Sequence, residues 1–411
     1  MSTITTRAEA LALDRTDQLG TLREAFDLPT GIYLDGNSLG PLPRVTREAL
    51  QHAVEIEWGN DLIRSWTKHG WIELPQQIGA QIARLIGAKP HEVVAADSTS
   101  VNLFKLGAAA LRLQTGRRVI LSEPGNFPTD LYILQGLTGF TPGAELRTVE
   151  PAKLEAAMDD QLALLVLTHT HYKSGQVHDM ARLTAAAQKR GALVLWDLSH
   201  SAGVLDVDLN GCNADFAIGC GYKYLNGGPG APAFLFVAER HQAKIASPLS
   251  GWMGHASPFD FTDDYAAAPG IDRFLCGTPQ VLGMRALHAG LSVLEQVKPR
   301  QLQDKARRLG QIFLERVLEA GDGSLRLLSP RDPAQRGGHV SFAHEDGYAI
   351  VQALIARDIV GDFRAPDALR FGFAPTFLRY VDAWDAAEAL LEIVATKSYD
   401  DARFRTRAAV T

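Results

Sequence analysis

Between residues 92 and 237 short apolar runs alternate with helix-like stretches, and this alternation limits the fold more than any other feature of the chain. The runs at 93–96, 119–122, 162–168, 192–197, 216–220 and 233–237 are apolar at nearly every position. Strands buried on both faces of a sheet read this way, and the Ala- and Leu-rich segments between them suit crossover helices. The expected class is therefore α/β, with a mostly parallel sheet flanked by helices. At 411 residues the chain is too long for one ordinary core. After Gly251 the pattern becomes irregular and then helical from about 281 to 320. It continues with a candidate strand at 339–343, a helix at 348–356, an apolar stretch at 369–374 and a closing helix at 382–397. This divides the chain into an N-terminal segment (1–44), a large domain (45–285) and a smaller α+β domain (286–411).

Composition narrows the partners. A formal net charge of −6 offers no basic field for nucleic acid or acidic lipid, so a small molecule is the expected partner. No apolar run approaches the roughly 20 residues that span a bilayer, and the N-terminus lacks the apolar core of a secretory signal. A cytoplasmic location is expected. Cys212, Cys220 and Cys276 are an odd number without metal-type spacing, which argues against a disulfide framework or zinc knuckle. His169, His171 and His178 are the other candidate metal group, with the first two on one strand face. No carboxylate or Cys spacing accompanies them, and no metal is expected.

Four segments carry chemistry. The run at 192–197 delivers Asp197 to a strand's carboxyl end, the edge at which open α/β sheets bind ligands. An Asp there can cap the next helix, or it can keep a pyridine nitrogen protonated so that the ring accepts electrons. Twenty-six residues later a second strand ends in Tyr222-Lys223-Tyr224 and a glycine-rich turn. A partly desolvated lysine loses proton affinity, and its neutral amine can form a Schiff base. Asp97-Ser98-Thr99-Ser100 precedes a helix-like stretch, where hydroxyls and free amides suit an anion. Phe127, in Gly125-Asn126-Phe127-Pro128-Thr129-Asp130, can stack on a flat ring or pack into the core. Lysine, strand-end carboxylate and phosphate site together are the fixed points of a pyridoxal-phosphate (PLP) enzyme.

Phe127-Pro128-Thr129-Asp130, Asp197-Leu198-Ser199-His200 and the stretch from Tyr222 to Gly230 resemble, in order and spacing, the motifs of kynureninases, and the similarity runs from Tyr33 to beyond Arg370. The resemblance implies the fold type I PLP architecture, with a mostly parallel seven-stranded sheet and a homodimer whose active sites lie at the subunit interface. It implies that Lys223 bears the cofactor, Asp197 pairs with the pyridinium, Phe127 stacks on the ring, and Thr99, Ser100 and Tyr222 hold the phosphate. Asp130, Thr168 and His200 would surround the cofactor. Trp252 and Thr278 would reach in from the neighbouring subunit, and Arg370 would bind the substrate's α-carboxylate, for which a planar guanidinium is suited.

The implied reaction is hydrolysis of L-kynurenine to anthranilate and L-alanine in tryptophan degradation, with 3-hydroxykynurenine as a possible secondary substrate. Some family members, animal enzymes included, carry Asn where this chain has Thr278, and Thr lacks the amide donor; L-kynurenine is the expected substrate. Tyr222 is the candidate general acid/base, and a role as phosphate anchor alone stays open. Trp66, His69 and Trp71 are candidates for the aromatic pocket or for packing. A cysteine desulfurase would share the cofactor site but needs a catalytic Cys late in the chain, and no Cys follows Cys276. A nucleotide-binding protein would show GxGxxG or GxxxxGK[ST], and neither is present.

Overall fold

The computed structural model describes residues 4–406. The first three residues of the expected N-terminal segment and the last five of the expected C-terminal domain lie outside the described residues. A seven-stranded sheet forms the centre, in the order Val93–Ala95, Phe234–Val237, Phe216–Gly219, Leu193–Asp197, Leu162–Thr168, Val119–Ser122, Glu145–Thr148. Phe234–Val237 runs antiparallel to both neighbours, and the remaining pairings are parallel. Leu162–Thr168 and Leu193–Asp197 are buried at every position, as their unbroken apolar character requires. Glu145–Thr148 was not among the expected strands. It is a partly exposed edge strand, Glu-Leu-Arg-Thr, whose polar residues hide it from a search for apolar runs.

Parallel register brings the strand ends level: Thr168 lies opposite Asp197, and Asp197 opposite Ile218. The loops leaving Ser122, Thr168, Asp197 and Gly219 thus open at one edge of the sheet.

The expected helical segment from 281 to 320 is two helices, Val281–Ser292 and Pro299–Ala320. Pro299 supplies no amide hydrogen and disfavours helix in the residue before it, so the chain restarts there with Pro at the first position. Pro299–Ala320 packs on the closing helix Tyr380–Thr396. Beside them lies a four-stranded antiparallel sheet in the order Arg326–Leu327, His339–Ala343, Ala368–Gly372, Asp362–Arg364.

The N-terminal residues return to this second sheet. Helix Arg7–Asp14, opened by a Thr6 capping box, packs on Tyr380–Thr396, and the Asp14 carboxylate accepts the amides of Tyr380 and Val381. Ile32–Tyr33 pairs parallel with Ile359–Val360. From there residues 35–40 run back to the loop at Lys223. Among the described residues no helix is long and apolar enough to cross a membrane.

Candidate active site

A cavity of about 510 Å³ opens at the carboxyl edge of the seven-stranded sheet. Its walls include Thr99, Ser100, Phe127, Asp130, Thr168 and Asp197, together with His200, Tyr222 and Lys223. Nine of the residues singled out in the sequence therefore meet in one place, although they span positions 99 to 223.

At one end, helix Thr99–Leu113 begins with Ser98 as its cap; the Ser98 hydroxyl accepts the Val101 amide at 3.3 Å. The amides of Thr99 and Ser100 precede the first intrahelical bonds, and both residues line the cavity at the helix start, where the dipole favours an anion. Asp97 also lines the cavity, in a left-handed conformation (φ +48°). Its carboxylate is neutralised by the fully buried Lys105, 2.5 Å away, so it does not repel an anion at this helix start as a bare carboxylate would.

At the other end sits a carboxyl pair. Asp197 Oδ1 accepts the Ser199 amide at 2.7 Å, and Asp130 and Asp197 hydrogen-bond to each other. Burial pushes Asp130 well up, and the Asp197 charge pushes it further, so Asp130 is the partner that keeps a proton. Burial also raises Asp197. The Lys223 charge offsets part of this rise in both, and a buried carboxyl pair of this kind suits a positively charged N–H. Thr168 donates to Asn126 Oδ1, which in turn accepts the Phe127 amide and fixes the turn that presents the Phe127 ring. Asn126 is a buried organiser of the site that the sequence reading did not single out.

Lys223 Nζ lies 3.1 Å from His200 Nε2, and 5.9 and 5.8 Å from the ring centres of Phe127 and Tyr222. Burial, with Cys220 and Asp197 adding to it, pushes the Tyr222 phenol above its ordinary range, so it is a proton donor rather than a phenolate. Gly40 approaches this loop from the N-terminal segment: its amide donates to the Tyr222 carbonyl at 2.8 Å, and a Cβ there would stand 2.5 Å from the Lys223 carbonyl oxygen.

The donor set fits PLP. A helix start with free amides suits the phosphate, a buried acidic pair suits the pyridinium, an aromatic ring suits the flat face, and a lysine amine stands between them. Three expected site residues are elsewhere. Trp252 is packed with Trp66 and Phe259, at ring distances of 6.1 and 5.8 Å. Thr278 lines a small neighbouring pocket that shares Asp97 and Gln280 with the main one. Arg370 is 2% exposed and turned to Asp362, Ser38 and the Tyr172 carbonyl rather than to the cavity.

The three histidines weighed as a metal group part company. The strand ends at Thr168, before His169, so the expectation of two histidines on one strand face does not hold. His169 meets Ser201 at 2.9 Å, His171 the Gly125 carbonyl at 2.8 Å and His178 Glu123 at 2.9 Å. Among the described residues His52, Glu57 and His69 do converge, with ligand atoms within 4.8 Å. Glu57 is already engaged by Trp71 and Arg285, and His69 by Asp61. This network ties Trp71 and His69 together beside Trp66, which packs edge-on to Trp71 at 6.2 Å, and none of these three candidates for the aromatic pocket is among the residues that line the cavity.

Comparison with known proteins agrees with this geometry. A family model described as the kynureninase C-terminal domain matches residues 302–390. A kynureninase of Burkholderia pseudomallei (strain K96243) is 50% identical over 414 residues, covering 99% of this chain and 100% of that protein. A kynureninase of Pseudomonas fluorescens is 46% identical over 416 residues, covering 99% and 100%. Among solved structures, the apo cysteine desulfurase of Thermococcus onnurineus NA1 superposes with a TM-score of 0.77 at 20% identity, covering 97% of this chain and 99% of that one. The cystine C-S lyase C-DES, in complex with cysteine persulfide, gives 0.77 at 19%, covering 88% and 98%. At such identities the likeness is one of fold.

Proposed function

Because this chain belongs to the kynureninase family, we propose that it hydrolyses L-kynurenine to anthranilate and L-alanine, using PLP held by Lys223 in the cavity at the sheet's carboxyl edge. The observation that carries the reading is the convergence of Lys223, the Asp130–Asp197 pair and the Thr99–Ser100 helix start on one cavity, in a chain half identical to kynureninases along its whole length.

PLP, when bound, supplies an electron sink for the charge left at the substrate's α-carbon. Asp197 would hold the ring nitrogen's proton, with Asp130 as the protonated neighbour. Thr99 and Ser100, with the Tyr222 hydroxyl, would hold the phosphate, and Phe127 would cover one ring face. The Lys223 amine would take the substrate's α-proton. Water adds to the γ-ketone, the bond between carbonyl and β-carbon breaks, and anthranilate and alanine together contain the atoms of kynurenine plus one water. A general acid must protonate the ketone oxygen as water adds. Tyr222, kept as a neutral phenol by its burial, suits that task.

The same reading makes the protein a cytoplasmic homodimer acting in tryptophan degradation. An exposed apolar group at Val54, Ile56, Trp58, Leu62 and Ile63 supports a subunit contact, since a monomer gains nothing from leaving Ile63 76% exposed. Trp252 and Thr278, outside their own chain's cavity wall, would then serve the partner's site.

The test is anthranilate fluorescence on adding kynurenine to PLP-loaded protein. Production of anthranilate is expected, and its absence with cofactor bound would remove the assignment. In the same assay Tyr222→Phe is expected to keep its cofactor and lose turnover by about 10²–10⁴-fold, the range for a general acid/base; near-normal turnover would leave Tyr222 a phosphate anchor only.

A further inference from the structure

Lys105, in the second turn of helix Thr99–Leu113, has no exposed surface. Burial strips an ammonium of water, so a lysine enters a protein interior only with partners. Lys105 Nζ has two: it stands 2.5 Å from Asp97 Oδ2 and donates to the Phe274 carbonyl at 2.7 Å. Asp97 Oδ2 is itself buried and, by hydrogen-bond geometry, has no donor among the described residues, so its charge is met by this ammonium alone.

Three parts of the chain meet at the lysine. Asp97 lines the cavity with Ser98, Thr99 and Ser100. Its carbonyl accepts the Ala233 amide at 3.0 Å, and the Asn102 side chain donates to the Ala96 carbonyl at 2.8 Å, which fixes the turn carrying the carboxylate beside the helix start. Phe274, fully buried, ends the short turn Gly270–Phe274, and the chain then runs through Thr278 to Gln280, a second cavity residue. The Phe274 carbonyl thus holds the ammonium in place over Asp97. An ion pair inside a protein is weak evidence for a stabilising role, since neutral side chains of similar size often serve the fold as well. What singles this pair out is its place, with the carboxylate in the wall where the phosphate of PLP would sit.

We propose that Lys105 is a positioning residue for that phosphate: its ammonium offsets Asp97, so that the helix start at Thr99 and Ser100 accepts a dianion and the protein selects PLP over unphosphorylated pyridoxal. This deepens the PLP reading of the site and rests on it. Without the ammonium, Asp97 and the phosphate are like charges in a cavity of low dielectric. With both side chains neutral the repulsion is absent, and the amides of the helix start remain.

The test is titration of cofactor-free protein with PLP and, separately, with pyridoxal, which carries the same aldehyde and no phosphate. Lys105→Leu is expected to lose PLP affinity by about 10–100-fold and pyridoxal affinity by less than about 3-fold. Lys105→Leu with Asp97→Asn in one chain should return PLP affinity to within about 3-fold of wild type, because both charges leave together. Asp97→Asn alone keeps the ammonium and removes the charge it offsets, so the ratio of PLP to pyridoxal affinity should rise by about 3-fold or more. Equal losses for PLP and pyridoxal in Lys105→Leu, a double variant as weak as Lys105→Leu, or a ratio unchanged or lowered in Asp97→Asn would each overturn the proposal. The last arm needs no variant of Lys105 to fold. A wild-type protein that bound neither aldehyde would remove the PLP reading and this proposal with it. Where PLP binds, a failure of the proposed reaction would show in the anthranilate assay alone.

Discussion

Lys223→Ala is expected to lose turnover by about 10⁴-fold or more, together with the visible absorbance of lysine-bound PLP. The size follows from the position of Nζ. Among the described residues it is the one lysine in the cavity that holds the buried acidic pair, and it stands near Phe127, Tyr222 and His200. On the proposed reading its replacement would remove both the covalent attachment and the base that takes the α-proton, and among the described residues no second lysine lines the cavity to substitute. The fold should survive. Lys223 makes no ion pair with Asp130 or Asp197, and the loop around it is held by backbone contacts, Gly40 amide to Tyr222 carbonyl and Asn226 amide to Lys223 carbonyl. Circular dichroism and thermal unfolding close to wild type would show that the loss is chemical. A Lys223→Ala protein that still turned over kynurenine and kept the visible band would sink the assignment.

How legible this site was in the sequence differs by element. The strands that carry Asp197 and Lys223 were visible because both faces are buried, which forces unbroken apolar runs, and a carboxylate or lysine that ends such a run stands out. Thr99 and Ser100 were visible as hydroxyls ahead of a helix. The edge strand Glu145–Thr148 was hidden by its half-exposed polar residues, and the break before Pro299 was passed over because apolar periodicity continues on both sides of it. Asn126 and Gly40 were hidden for another reason. Each acts through a contact with a distant part of the chain, Thr168 and Tyr222 respectively, and no local pattern encodes a partner that tertiary structure supplies. The family resemblance added the roles of Tyr222, Trp252, Thr278 and Arg370, which spacing alone did not give.

For Arg370 two roles must be separated, and the expected result is that Arg370→Ala loses both stability and substrate affinity. Asp362 is 1% exposed and takes hydrogen bonds from Arg370 Nε at 2.8 Å and from Arg370 Nη2, while Arg370 Nη1 donates to the Tyr172 carbonyl at 2.7 Å. Burial favours a neutral Asp362 carboxyl, but Arg370 and Arg364 outweigh it and hold it below the ordinary range. Removing the guanidinium leaves that carboxylate with Arg364 and Ser38 only. Breaking a buried pair on one side costs about 3–5 kcal/mol, of which the remaining Arg364 contact, 2.6 Å away, offsets part. The substrate role makes a different demand. A guanidinium has five N–H groups, and the contacts to Asp362, Ser38 and Tyr172 use four of them, so two parallel bonds to an α-carboxylate require the side chain to give up one of its present partners. Arg370→Ala with Asp362→Ala in one chain removes the stranded carboxylate and is expected to recover most of the thermal stability. It is not expected to recover the KM for kynurenine, which should stay raised by about 10–100-fold, the worth of a charge-assisted hydrogen bond. If the double variant regained both stability and KM, Arg370 would be a structural partner of Asp362 and the α-carboxylate would be bound by another group.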